Sequence, residues 1–413
     1  MESNNKPRLD SVDLVRGLVM IFMAIDHVRY PYFTNIGIPP DNTNLTYLSL
    51  FLTRWITHFS APMFFFLAGT GAYLMTTRGK SIHHVSRFLW TRGLWLVFLE
   101  LTLIEFAWSF MPGWMFGGVI WALGWSMVIL AFVIRLPLKA VALFGIAIMV
   151  FHHLLDGISP SAFGMFDWKW KFLHAGGYLD PEWLPAQFFP VLYTLIPGCG
   201  VMAAGFALGA ILQKPETERR RLIFYVGIAM TVLFIILRLT NWYGSPPDQE
   251  YTDQVPAEYR TTNQFVPQAS FDKTIIAFLN TQKYPFSLQF LLMTIGPALI
   301  LLSWADRFTY SSAIGKWIGQ RIVLFGRVPL FFYICHLFLI HLLAIAVSAA
   351  MGLSFDWLIG KPLPFVREAT EGFGFGLAGT YLITAIVVII LYFPCRWFAG
   401  LKQRRTEWWI SYF

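Results

Sequence analysis

The sequence predicts an all-α polytopic membrane protein, a single integral membrane domain over 1–413 with about ten transmembrane helices. Three observations predict it. Hydrophobic residues are 56% of the chain and charged residues 13%, where a soluble domain carries roughly 25% charged. The mean hydropathy is +0.57. The 17 Trp and 40 Phe suit lipid-facing helices and interfacial belts.

A hydrocarbon core of about 30 Å needs about 20 mostly apolar residues per helix. Such runs fall near 11–31, 55–77, 84–111, 116–135 and 138–158 in the first half. They continue near 188–212, 221–242, 286–306, 324–350 and 376–396, and 47–54 reads as a separate interfacial helix. The opening MESNNKPRLD is polar and carries no cleavable signal pattern. Two connections are long, 159–187 and 243–285. The second is an external loop rich in acid, with Asp248, Glu250, Asp253, Glu258 and Asp272 against Arg260, Lys273 and Lys283. No internal repeat, low-complexity tract or soluble domain interrupts the pattern. Cys199, Cys335 and Cys395 lie in or beside apolar runs, which gives neither a disulfide framework nor a CxxC metal signature.

Charge placement orients these spans, because cytoplasmic loops carry the excess of Lys and Arg. With the N-terminus inside, the inner segments hold Lys6, Arg8, Arg16, Arg78, Lys80, Arg87, Arg92, Arg135 and Lys139. They also hold Lys214, Arg219, Arg220, Arg221, Arg307, Lys316, Arg321, Arg327, Arg396, Lys402, Arg404 and Arg405. That is 21 of 31 basic residues. The bias predicts both termini in the cytoplasm and residence in the cytoplasmic (inner) membrane. The net charge of +8 then belongs to a bilayer surface and gives no reason to invoke nucleic acid.

An ionisable side chain within a membrane span costs roughly 2.5–3.5 kcal/mol on insertion scales, so each is a functional candidate. The first span, SVDLVRGLVMIFMAIDH (11–27), is the most informative. Arg16 and His27 are eleven residues apart, about three turns, which puts them on one face and about 16 Å apart along the axis. Asp13 is one turn before Arg16 and can pair with it.

A first-helix arginine, ten intervening residues and a histidine resembles the signature of the acyltransferase family 3 membrane enzymes. The wording RLDSVDLVRG resembles still more the heparan-α-glucosaminide N-acetyltransferase family and its bacterial relatives. The similarity continues through SAPMFFFLAGTGAYL (60–74), RFLWTRGLWLVFLE (87–100) and PLFFYICHLFLIH (329–341). It implies a transmembrane-acyltransferase-like bundle. It also implies transfer of an acyl group, usually acetyl, from cytoplasmic acyl-CoA to a sugar amine or hydroxyl. Acetyl-CoA would be a co-substrate, with no permanently bound cofactor, and the partners would be the bilayer, acyl-CoA and a carbohydrate acceptor. The histidine of such a signature is taken as catalytic. In the heparan enzyme the histidine assigned to catalysis lies beyond the first helix, whereas residues 28–57 here contain no His. The arginine-to-histidine spacing therefore favours His27, with Arg16 and Asp26 completing the expected catalytic set.

The chemistry fits those residue types. Acyl transfer from a thioester needs a general base near the acceptor and stabilisation of the charge that develops on the carbonyl oxygen. His27 can be the base. Asp26 is offset from it by about 100° on the helix, so it orients something nearby or binds the acceptor rather than completing a triad. His336 and His341 read equally as satisfied core histidines or substrate contacts. Glu100 and Glu105 read as partners of Arg92 or Arg54, or as cavity lining. His152 and Asp156 share a face, but no second cluster completes a metal site, and no metal is predicted. For the donor phosphates, arginine is the suited residue. Arg87 and Arg92 are the candidates, and membrane anchoring is the alternative. Arg219 to Arg221 read as a topological anchor. Lys283, Tyr284 and Ser287 sit at the outer lip of the eighth span, as an acceptor entrance or as a capped helix start with Pro285 in its first turn.

Two other classes compete. A secondary transporter would use the Pro/Gly breaks at 196–200 (IPGCG) and at Gly296–Pro297, although no interrupted pair recurs in two halves. A non-catalytic membrane scaffold would leave Arg16 and His27 without work. The sequence leaves the acceptor open, and a homodimer as well.

Overall fold

Inside a bilayer no water satisfies backbone amides, so long apolar runs close their own hydrogen bonds as helices. The computed structural model describes residues 10–32, 38–179, 189–247, 261–310, 312–366, 369–405 and 407–413. Its helices in chain order begin with α1 (Asp10–Tyr32), α2 (Leu48–Thr57), α3 (Ser60–Thr76), α4 (Ile82–Leu99) and α5 (Glu105–Ser109). Next come α6 (Val119–Val133), α7 (Leu138–Phe151), α8 (Asp167–Trp170), α9 (Leu195–Ile211) and α10 (Glu216–Thr240). The last are α11 (Phe271–Leu279), α12 (Leu288–Tyr310), α13 (Ala313–Arg327), α14 (Pro329–Ala350) and α15 (Leu377–Arg404).

Six segments are long and apolar enough to cross a membrane: Leu48–Thr76, Leu138–Leu155, Glu216–Thr240, Leu288–Ala305, Pro329–Ala350 and Leu377–Arg404. The chain is thus a helical membrane protein. The other predicted spans fall on α1, whose run is interrupted by Asp13, Arg16, Asp26 and Arg29, on α4, and on the shorter apolar helices α6 and α9. Apolar side chains also cover the outside. Tyr225, Ile236 and Leu239 of α10 and Leu382, Ile389 and Phe393 of α15 are exposed, as lipid-facing residues are.

Helix α1 is the hub, touching α2, α3, α12, α13, α14 and α15. Close approach between helices rests on small residues, which let backbones meet without side chains between them. A Cβ on Gly69 of α3 would lie 1.9 Å from the Met202 carbonyl oxygen of α9, and one on Gly205 of α9 would lie 1.9 Å from that of Phe66.

Several boundaries correct the sequence reading. The run 84–111 is α4, a π-helical turn at Glu100–Ile104 and then α5, ending where Phe110 turns left-handed. The run 324–350 is two helices. Val328 leaves the helical region because a proline follows it, and Pro329 opens α14. Helix α13 as a whole was missed, because its polar residues hide it from a hydropathy reading. Residues 48–57 do form a helix apart from α3. The run 188–212 becomes helical only at Leu195, after a short strand β2 (Phe189–Val191) that pairs with β1 (Gly177–Leu179). Pro285 precedes α12 instead of sitting in its first turn. Lys6, Arg8, Asp248, Glu250, Asp253, Glu258, Arg260 and the side chain of Arg307 lie outside the described residues.

Candidate active site

Helices α1 and α14 bring His27 and His336 together, with His27 Nδ1 and His336 Nε2 2.7 Å apart. On the far side of its ring, His336 Nδ1 is within hydrogen-bonding reach of the carbonyls of Tyr333 and Phe332. A carbonyl only accepts, so in a pair of neutral rings Nδ1 of His336 carries the hydrogen and its Nε2 is the acceptor. His27 Nδ1–H then donates to it. The lone pair of the pair is left on His27 Nε2, for which no hydrogen-bond partner stands among the described residues. The ring is held by aromatic contacts, with Trp108 at 4.8 Å, Tyr333 at 6.1 Å and Tyr30 at 6.3 Å between centroids.

Two of those neighbours line separate cavities. Tyr333 lines a cavity of about 380 Å³ whose walls come from α1, α3, α4, α6, α13, α14 and α15. Five basic side chains border it, Arg16, Arg78, Arg92, Arg327 and Lys402, with Asp13 the one acidic side chain among the described residues and Met20, Leu67, Leu89 and Met127 among its apolar lining. Arg16 is fixed by Asp13 at 2.9 Å and by the Gly326 carbonyl at 3.1 Å. The guanidinium of Arg92 lies over the Phe88 ring at 5.7 Å.

Tyr30 lines a smaller space of about 190 Å³ with Arg29 and Arg54. This shares Pro39 and Asp41 with a polar cavity of about 300 Å³ bordered by His58, Asn263, Asn280, Gln282, Lys283 and Tyr284. The Lys283 ammonium sits 5.0 Å from the centre of the Tyr284 ring. Burial lowers its pKa from the ordinary lysine value, and Arg54 pushes the same way. An anion beside it would relieve both effects. His27 thus has one ring neighbour, Tyr333, on the basic cavity and another, Tyr30, on the small space that adjoins the polar one.

The other predicted residues are placed as follows. Asp26 is not aimed at His27. Arg29 at 3.2 Å and Arg54 both pair with it, fastening α2 to α1. Arg87 is exposed and lines none of the three cavities. It is five positions from Arg92, about 140° around the helix. His341, five positions past His336, turns to the carbonyls of Ala107 and Leu358 at 3.0 and 2.6 Å and stacks on Phe110, away from the cavities. Glu100 pairs with neither Arg92 nor Arg54, since Asp26 holds Arg54 and Arg92 faces the basic cavity. Its carboxyl lies at the start of α6, where a Cβ on Gly118 would come within 2.1 Å of its Oε1. Asp156 takes His153 and His174 instead of His152, at 2.6 and 2.9 Å. Burial would raise its pKa, but those two hydrogen bonds outweigh it and hold it at about 2. Lys283 and Tyr284 share the polar cavity.

The sequence reading missed His58. It follows α2 directly, one residue beyond the histidine-free stretch 28–57. A histidine between two apolar helices, WITHFSAP, was the signal available.

Fold and site together define a polytopic helical membrane protein with a histidine pair set between two cavities. Residues 8–240, more than half of the chain, match the family described as heparan-alpha-glucosaminide N-acetyltransferase, catalytic, and the chain belongs to that family of membrane acetyltransferases. No curated protein matches it.

Proposed function

We propose that this protein transfers an acetyl group from acetyl-CoA, bound in the basic cavity, to a sugar amine or hydroxyl presented in the polar cavity. The observation that carries the reading is the directed chain from the Tyr333 carbonyl through His336 to His27, which leaves a basic nitrogen between the two spaces. The acceptor N–H or O–H gives its proton to His27 Nε2 as the acceptor atom attacks the thioester carbonyl. The C–S bond then breaks, and the imidazolium returns the proton to the leaving thiolate. His336 is a positioning residue, fixing which nitrogen of His27 is the base. Arg16, Arg92 and Lys402 suit the donor's phosphates, and the apolar floor suits its pantetheine arm. Family membership supports the acetyl group and the enzymatic class.

The basic end would face the cytoplasm, with ten crossings and both termini on that side, as the split of basic residues favours. A reporter fused after residue 405 is expected inside and one in the 243–285 loop outside; both on one side would refute the orientation. The activity is tested by labelled acetyl transfer with purified protein, wild type beside His27→Ala and His27→Gln. Transfer that survives both substitutions would remove His27 from the mechanism. Solute uptake without transfer would favour the transporter reading.

A further inference from the structure

We propose that segment 408–413 is an autoinhibitory strap across the basic cavity, which the acyl-CoA donor must lift to enter. This goes beyond the acetyl-transfer reading and rests on it only for the identity of the donor. The segment runs between two walls of that cavity. Helix α4 supplies Phe88, Leu89, Arg92 and Leu96 to one wall, and α15 supplies Lys402 to another. Residues Trp408–Tyr412 form a short 3-10 helix after α15, with Ile410 buried. Phe413 follows and lines the cavity itself. Its ring lies edge-on to Trp95 of α4 and to Phe398 of α15, each at 6.2 Å between centroids. One aromatic side chain thus bridges the two helices where the cavity lies between them.

The strap has a latch. Tyr412 Oη and Thr91 Oγ1 of α4 are 2.6 Å apart. The Thr91 hydroxyl also lies 2.8 Å from the Arg87 carbonyl, which only accepts, so its hydrogen points there and Tyr412 donates to Thr91. The latch sits beside a residue suited to sense the donor. Tyr412 packs edge-on against Phe88 at 5.9 Å, and the Arg92 guanidinium covers that same Phe88 ring at 5.7 Å. A phosphate that draws Arg92 into the cavity would uncover the ring on which Tyr412 rests, so the ligand that needs entry loosens the strap. Size points the same way. About 380 Å³ is near the low end of the roughly 300–1,000 Å³ that pockets for drug-sized ligands occupy. Acetyl-CoA, a nucleotide with several phosphates joined to a pantetheine arm, is larger than such ligands, so the cavity must widen to take it.

Thiol labelling and donor binding on the purified full chain test the strap and the donor reading separately. Ala68→Cys places a reporter thiol in the cavity wall. Its rate of modification by a charged methanethiosulfonate is read against the parent chain, whose Cys335 is half-buried. Adding Tyr412→Phe should speed modification about two- to tenfold, the range for loss of one neutral hydrogen bond. Adding Phe413→Ala as well should speed it further, and Thr91→Ser, which keeps the hydroxyl, should match the unlatched chain's parent. Without the reporter, acetyl-CoA should associate faster with Tyr412→Phe and bind tighter by a similar factor, since fewer molecules are closed to it. A monodisperse profile in detergent certifies each variant. Labelling indifferent to both aromatic substitutions would overturn the proposal. So would weaker acetyl-CoA binding by Tyr412→Phe, which would make the segment part of the bound donor's site. Faster labelling with no acetyl-CoA binding by any form of the chain would leave the strap standing and defeat the donor reading.

Discussion

The basic cavity and the polar cavity are of similar size and opposite construction. The Arg16 cavity, about 380 Å³, is walled largely by long helices, with basic side chains above an apolar floor. The Lys283 cavity, about 300 Å³, is walled mostly by connections, around 39–42, 261–263 and 280–284, and is lined by amides and hydroxyls. Helix walls give the first a shape set by close interhelical packing. Loop walls give the second its chemistry, and Arg238 supplies the order that regular structure would otherwise provide. The contrast teaches that, on the proposed reading, donor and acceptor binding would be separable and would be joined through the histidine pair.

That separation is broken most severely at the meeting point. His27→Ala should lower acetyl transfer by roughly 10²–10⁴-fold, the range for loss of a positioned general base. Acetyl-CoA and sugar affinities should each stay close to wild type, since neither cavity is lined by His27. Calorimetry on the variant beside single-turnover transfer checks both halves. Loss of donor affinity in parallel with turnover would mean that the cavities are coupled through this residue and that the comparison is too simple.

A smaller effect sharpens the basic side. Arg92→Ala should weaken acetyl-CoA by about ten- to a hundredfold, as removal of a charged hydrogen bond worth roughly 1.5–3 kcal/mol would. Sugar binding should not change. If Arg92→Ala weakens sugar binding and spares acetyl-CoA, the donor and acceptor cavities have been assigned the wrong way round.

The helix-walled side was largely legible in the sequence and the loop-walled side was not. Arg16 and His27 announce themselves because charge in an apolar run is costly and helical spacing places them on one face. Arg92 follows from the same logic. His336 was visible as one of two histidines on a helix, but the spacing alone could not choose it over His341. The choice is made by α1, which meets the His336 side of α14 while Ala107 and Leu358 take the other. Asp26 was seen without its partners, because Arg54 comes from a helix whose docking no local pattern encodes. In the loop-walled cavity there is no periodicity to read. Lys283 and Tyr284 stood out by residue type, whereas His58, Asn263 and Asn280 gain meaning only when separate connections fold together. The break at Val328–Pro329 was written in the sequence, and hydrophobicity on both sides concealed it.

The smallest expected effect separates placement from mere charge. Arg87 and Arg92 both lie on α4 and carry the same group, and by sequence both suit the donor's phosphates. Their five-residue spacing turns them about 140° apart. Arg92 lines the basic cavity while Arg87 is exposed. An exposed arginine at a membrane surface anchors its helix and adds to a potential that salt screens within about 10 Å at 0.1 M. Surface substitutions of this kind usually change stability by less than about 0.5 kcal/mol. Arg87→Ala should therefore leave acetyl-CoA affinity within about twofold of wild type, the equivalent of less than about 0.5 kcal/mol, with any deficit shrinking as salt rises. Titration of both arginine variants at two ionic strengths makes the measurement. A salt-independent loss at Arg87 as large as that at Arg92 would show that the donor's phosphates reach beyond the cavity onto the outer face of α4. The basic side would then be a surface groove, and its likeness to an enclosed, helix-walled pocket would fail.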